Sequence, residues 1–211
     1  MRISELSEIS GVSAATIKYY TRENLLPAGE RTGYNQTEYG RVHVDRLRLI
    51  RALVEVGGLS VSAARDVLRA IDDDGMPLPH VFGIAQHALP QRETAARPES
   101  VARVRAEADA RGWHTAPENP GLELAAGVLD AYEVLGRNDL WSTLGAYAAA
   151  AEQVAAADLD ALDSSGSRSA MAETVVVGTV LGDTLFAGLR RLAQEAETAR
   201  RYSMSTQETT T

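Results

Sequence analysis

A mainly α chain is the fold class this sequence predicts, and three observations predict it. Apolar residues recur three and four apart in stretch after stretch of the chain. Two short stripes near the start are separated by Gly11, with Ser13 close behind, so one helix stops and another begins within about three residues. Residues 31–39 carry no helical stripe and are rich in Gly, Asn, Thr and Tyr, the composition of a short β-hairpin. Together they give a winged helix-turn-helix head with a small hairpin wing, followed by an all-helical C-terminal module.

The elements follow in order. Ile3, Leu6 and Ile9 put one apolar stripe on a first helix, and Gly11 supplies the left-handed residue that ends it. Ser13 caps a second helix, whose stripe is Ile17 and Tyr20 and which stops at Leu25-Leu26-Pro27. After the hairpin segment, Val44, Leu47, Ile50 and Leu53 mark a longer helix that ends at Gly57-Gly58. Ser60 then caps a fourth, with Val61, Ala64, Val67, Leu68 and Ile71 on its inner face. The run Asp72-Asp73-Asp74-Gly75-Met76-Pro77-Leu78-Pro79 reads as a linker. Beyond it, helices are predicted over about 80–94, 98–111, 121–136, 139–157 and 168–202, with Pro90 shortening the first and Pro98 in the opening turn of the second. The division that results is a head at 1–74, a linker and short connecting helix at 75–97, a helical effector and dimerisation domain at 98–202, and a disordered Ser/Thr-rich tail at 203–211.

Composition narrows the chemistry. Among 211 residues there is no cysteine, which removes disulfides, thiolate nucleophiles, zinc fingers and iron–sulfur sites. The net charge is −8, yet residues 1–51 hold eight basic and six acidic side chains, so the acidity lies in the body behind the head. A basic-leaning head on an acidic body fits a polyanion-binding module joined to something else. The segment Ala170–Leu189 is apolar but contains Glu173 and Asp183, and it reads as a buried helix of a soluble protein, with no membrane partner. His80 and His87 share a face without a third ligand, so no metal site is expected, and no cofactor either. No phosphate loop, nucleophile elbow or convergent acid/base set is present, and the chain does not read as an enzyme.

The second helix carries the chemistry that remains. Ala14, Ala15, Lys18 and Arg22 fall mostly away from the Ile17/Tyr20 stripe. Small residues at Ala14 and Ala15 let a helix N-terminus approach base edges. Thr16 suits a thymine methyl or a phosphate, and Lys18 and Tyr19 reach phosphates. An ordinary amphipathic helix with a solvated basic face fits the same residues.

The start of the chain resembles the MerR family of winged helix-turn-helix transcriptional regulators. Ile3-Ser4-Glu5-Leu6, Gly11-Val12-Ser13, Thr16-Ile17-Lys18-Tyr19-Tyr20 and Leu25-Leu26-Pro27 carry the likeness. Arg31, Gly33-Tyr34, Arg46-Leu47-Arg48-Leu49-Ile50 and Gly58-Leu59-Ser60 continue it, so that it spans about residues 1–72. The resemblance implies a cytoplasmic homodimer on a near-palindromic stretch of double-stranded promoter DNA, with the second helix in the major groove. It implies contacts from Ser13, Ala14, Ala15, Thr16, Lys18, Tyr19 and Arg22. The wing (Arg31, Tyr34, Asn35) and the turn at Gly57 to Ser60 grip flanking phosphates, while Tyr20 packs the helix against the wing. It also implies that the DNA spacer is distorted so that RNA polymerase engages it. Two departures stand out. Asn35 occupies a place where the family usually has Arg, and the wing is about two residues longer, so Arg31 and Arg41 supply the missing charge. The family's mercury, copper and zinc sensors use cysteine thiolates, so this chain is not a sensor of that kind.

For the helical module, aromatic residues among small ones suggest a cavity for an organic effector: Trp113, Tyr132, Trp141, Tyr147 and Phe186, with Asp183 as its ionisable group. Aromatics at helical spacing are also what a plain core contains. The competing function is a helical protein-interaction module whose DNA head only localises it. Pro90 and Pro98 break the natural coiled-coil candidate behind the head, which leaves the helix at 98–111 or the bundle as the dimer contact.

Overall fold

The computed structural model describes residues 1–33, 36–91, 94–164 and 166–202. Tyr34, Asn35 and the tail at 203–211 lie outside the described residues. The head is built from α1 (Ile3–Ser10), α2 (Ala14–Arg22), strands β1 (Glu30–Gly33) and β2 (Gln36–Glu38), α3 (Arg41–Arg51) and α4 (Val61–Asp72). The chain is mainly helical with a two-stranded hairpin after the first helices, which is the fold class the sequence predicts. Gly11 ends α1 at φ 68°, its N–H donating to the Ser7 carbonyl. A non-glycine residue would be strained there.

The hairpin is antiparallel, pairing Glu30 with Glu38, Arg31 with Thr37 and Gly33 with Gln36 across a local irregularity. Its described strand residues contain no large apolar side chain, so it is held from outside. Met1 and Tyr39 exchange two backbone hydrogen bonds of 2.9 Å, and the Arg2 guanidinium donates to Gln36 Oε1 at 2.8 Å.

One feature has no signature in the apolar spacing. The helix begun by α3 changes at its end to a π-helical turn (Ala52–Val56) before Gly57-Gly58. Such turns widen the helix and leave backbone bonds poorly aligned. Here the turn buries Leu53 while leaving Val56 exposed.

Behind the head come α5 (Leu78–Ala88), α6 (Pro98–Ala110), α7 (Pro120–Val134), α8 (Leu144–Asp160) and α9 (Arg168–Tyr202). The segment read as a linker and connecting helix contains α5, and Val81 and Ala85 of that helix are fully buried. Its apolar face is covered by α4 on one side and by α9 on the other. Ala172, Val175, Val176 and Val180 of α9 belong to the same continuous core as Leu6, Ile17, Leu47 and Leu68 of the head. The head and the first half of α9 are therefore packed together. At the junction a Cβ on Gly57 would lie 2.2 Å from Val180 Cγ1, so only glycine fits between the two helices.

The 35-residue α9 departs from the expectation of a buried helix. Its first half is buried as expected, but no residue beyond Val180 is buried. It is also long and apolar enough to cross a membrane by length and composition, with Asp183 in its middle.

A second packing unit joins α6, α7 and α8. Arg97, the N-cap of α6, clips α7: its backbone N–H and Nε reach Asp130 at 2.9 and 3.1 Å, and its two terminal nitrogens reach Glu133 at 2.9 and 2.6 Å. Hydrogen bonds from Ser100 and then from the Arg97 backbone hold the Asp130 carboxyl below the usual carboxylate range, and the Arg97 guanidinium does the same for Glu133. A lowered folded-state pKa contributes stability above the unfolded value and loses it as pH falls through the folded one. Thermal melts should therefore lose stability progressively as pH drops below about 4. Arg97→Ala should flatten that acid limb, and an unchanged limb would mean that the clip contributes nothing.

Candidate nucleic-acid interface

Local sequence sets the exposed face of α2. Ser13 Oγ accepts from the Thr16 N–H at 3.1 Å and lies 2.8 Å from the Thr16 hydroxyl, closing the N-cap. Ile17 and Tyr20 point into the core formed with α1 and α3. That leaves Ala15, Lys18 and Arg22 exposed on the opposite face, with Ala14, Thr16 and Tyr19 half-buried beside them. The Arg22 guanidinium sits 5.2 Å from the centre of the Tyr19 ring, and the two make one cationic, aromatic edge.

Tyr20 is the residue expected to pack α2 against the wing, whose tip at Tyr34 and Asn35 lies outside the described residues. The side chain is buried in the head core, where burial and the Glu55 carboxylate push its hydroxyl pKa up.

The end of α2 is clamped. Arg65 on α4 donates from Nε to the Glu23 carbonyl at 2.8 Å and from Nη2 to the Glu23 carboxylate at 3.1 Å. At the other end Arg51 reaches the Ser10 carbonyl at 3.4 Å and pairs with Glu55 at 2.8 Å. The first tie holds the end of α2 to α4, and the second holds the end of α1, just before the turn into α2. Sequence reasoning missed Glu23, Arg65 and Arg2, because each acts across more than thirty residues with no local pattern to announce it.

The other expected contacts lie on β1, α3 and the turn before α4. Arg31 is exposed on β1 and Ser60, exposed, caps α4 by accepting from the Ala63 N–H at 3.1 Å. Arg41 is exposed at the start of α3, but Asp45 pairs with it at 3.2 Å and with Arg48 at 3.3 Å. That pairing reduces the charge it offers. Lys18 and Arg31 have no carboxylate within ion-pairing distance among the described residues. Lys18→Ala should therefore weaken binding to every duplex alike and reduce the slope of log affinity against log salt by about 0.9. An unchanged slope would remove Lys18 from the interface.

The residues expected to line an effector cavity separate. Asp183 and Phe186 line a cleft of about 1120 Å³ between α5, α7, α8 and α9, where Phe82, Leu124 and Val154 make the wall largely apolar. Gly57 closes the cleft at the head side, and Asp158 stands within reach of Asp183. Burial, and then the Asp158 charge, raise the Asp183 pKa. The other four aromatics lie elsewhere. Trp141 donates to the Leu129 carbonyl at 3.3 Å under the Arg103 guanidinium, and Trp113 donates to Glu152 at 3.3 Å. Tyr147 meets Arg190, and Tyr132 is half-buried on α7. Among the described residues no group of three or more metal-ligating side chains comes together.

Comparisons with known proteins place this head among relatives. Residues 1–71 match the family model described as MerR HTH family regulatory protein. Over 73 residues the chain is 37% identical to the mercuric resistance operon regulatory protein of Bacillus cereus, covering 35% of this chain and 54% of that one. Over 93 residues it is 31% identical to the HTH-type transcriptional regulator HmrR of Sinorhizobium medicae (strain WSM419), covering 44% and 63%. The chain thus spans a little over half the length of these curated relatives. Along nearly its whole length it is similar to the crystal structure of a candidate transcriptional regulator, SCO5550, from Streptomyces coelicolor A3(2). That likeness has a TM-score of 0.68 and 37% identity, and covers 98% of this chain and 100% of that one.

Proposed function

This chain belongs to the MerR family of helix-turn-helix regulators, DNA-binding and not enzymatic, and from that premise we propose how it acts. It is a cytoplasmic homodimer that places α2 of each copy in the major groove of a near-palindromic promoter site. It distorts the spacer between the half-sites so that RNA polymerase engages it, in response to an organic effector.

The observation that carries this reading is the position of the cleft. Its apolar wall suits an organic molecule, and it opens directly onto Gly57, the residue that joins the end of the α3 helix to the turn leading into α4. A molecule seated there touches α9 on one side and the base of the head on the other. Because Gly57 and Val180 are in steric contact, a small displacement of α9 is passed to the Gly57–Ser60 turn. An effector shifts the equilibrium only by its differential affinity for the two head arrangements. The cleft suits that requirement because Gly57 of the head lies in its wall beside α9, so that a bound molecule touches the point where head and α9 meet.

The test is thermal denaturation of the full chain against a panel of metabolites and drugs, followed by promoter binding with each hit. The reading predicts a stabilising compound that changes DNA affinity or footprint. That response should be lost in Phe186→Asp, a change at the cleft wall. A stabilising compound that leaves DNA binding untouched would contradict it.

A further inference from the structure

Among the 21 Lys and Arg side chains, Lys18 is the only lysine. It stands on the face of α2 assigned to the duplex, where it is exposed and has no carboxylate within ion-pairing distance among the described residues. An arginine there would serve a phosphate at least as well, with a guanidinium that keeps its charge at every physiological pH. A lysine amine differs in one respect: it becomes a nucleophile on losing its proton, and acylation removes its charge.

We propose that Lys18 is a modification site, where direct transfer from an anionic acyl donor converts the side-chain amine to an amide and switches off DNA binding. The inference rests on the placement of α2 in the major groove proposed above. The surroundings of the amine suit such a donor. Ala14 and Ala15 lie one turn before Lys18 and leave the approach open, and Arg22 lies one turn after it. The Glu23 carboxylate is 3.1 Å from Arg65 on α4 and 3.6 Å from Arg22, so Arg22 keeps much of its charge. With the positive end of the α2 dipole, this is a field that draws phosphate groups. Acyl phosphates and acyl-coenzyme A thioesters both carry them, so the donor docks where a DNA phosphate would. The ammonium gives one proton to solvent, and its nitrogen attacks the acyl carbon. The C–N bond forms, the C–O or C–S bond breaks, and phosphate or thiol leaves with the second proton. The amino group at Met1 is less open to the same reaction, because it donates to the Tyr39 carbonyl at 2.9 Å.

The full chain is treated with acetyl phosphate in one arm and acetyl-coenzyme A in another, and peptide mass mapping follows the site. At least one donor should acetylate Lys18 ahead of Met1, and a duplex that the chain retards should slow the reaction. The product should bind that duplex about tenfold or more weakly, the worth of a lost charged hydrogen bond. Its slope of log affinity against log salt should fall as in Lys18→Ala, with an unchanged melting temperature. Lys18→Arg should show the same affinity before and after treatment. Failure of both donors to modify Lys18, or equal rates with and without duplex, overturns the proposal. So does unchanged affinity of the acetylated chain, or a loss that persists in Lys18→Arg. In each of these cases retention of duplex by the untreated chain leaves the groove reading standing. An untreated chain that retards no promoter fragment overturns both.

Discussion

Replacing Ala15 by glutamate is expected to abolish retention of duplex DNA while leaving the protein folded. Ala15 is exposed, faces away from the Ile17 and Tyr20 side of α2, and lies one turn before Lys18. A carboxylate there meets the rows of phosphates and the acceptor-rich floor of the groove, with a longer side chain where the helix must approach closely. The loss should be about a thousandfold or more, which brings specific binding down towards the level of nonspecific contact. The melting temperature should stay within a degree or two, because the substitution touches no core residue. Gel retardation and a thermal melt of the same preparation check both halves. Retained binding would mean that α2 does not enter the groove.

The second large effect is expected at Gly57. Its φ of −76° is ordinary, so the constraint there is space and not backbone conformation. A methyl group would sit 2.2 Å from Val180 Cγ1 and 2.8 Å from the Leu53 carbonyl oxygen. The first contact can be relieved by moving α9. The second is with backbone and can be relieved only by opening the π-helical turn. Gly57→Ala should therefore cost about 1–3 kcal/mol, the range for overpacking a close contact. Adding Val180→Ala should recover part of that loss relative to the Val180→Ala single variant, because only the first contact is removed. A cycle without coupling, read by denaturant unfolding, would mean that the head and α9 do not press on each other at this point.

Legibility in the sequence followed the range of the interactions. Gly11 and Ser13 end one helix and begin the next through bonds within four residues, and both were readable without a structure. The exposure of Ala15, Lys18 and Arg22 followed from the burial of Ile17 and Tyr20 by helical period alone. The placement of the α2 face and of the wing was not readable, because the first depends on Arg65 reaching Glu23 and the second on Arg2 reaching Gln36 from distant segments. The effector cavity shows the same limit. Aromatic residues mark places where large surface is buried, but whether against a neighbouring helix or around a cavity depends on the packing of the whole bundle. Trp113 and Trp141 cover helix contacts with their indole N–H groups satisfied, while the cleft is walled mainly by aliphatic residues and by Phe82 and Phe186. In α9, the run from Ala170 to Leu189 is apolar along its whole length apart from Glu173, Asp183 and three threonines. Only the arrangement of α4 and α5 decides that its first half is covered and its second half is not.

The proposed joint reading of one duplex by two α2 helices is open to direct measurement. Hydroxyl-radical footprinting of the full-length protein on a promoter fragment that it retards measures this directly. The prediction is two protected patches related by two-fold symmetry, with altered reactivity in the spacer between them where the duplex is deformed. A single protected patch, or protection that follows no symmetry and fades uniformly with salt, would contradict it.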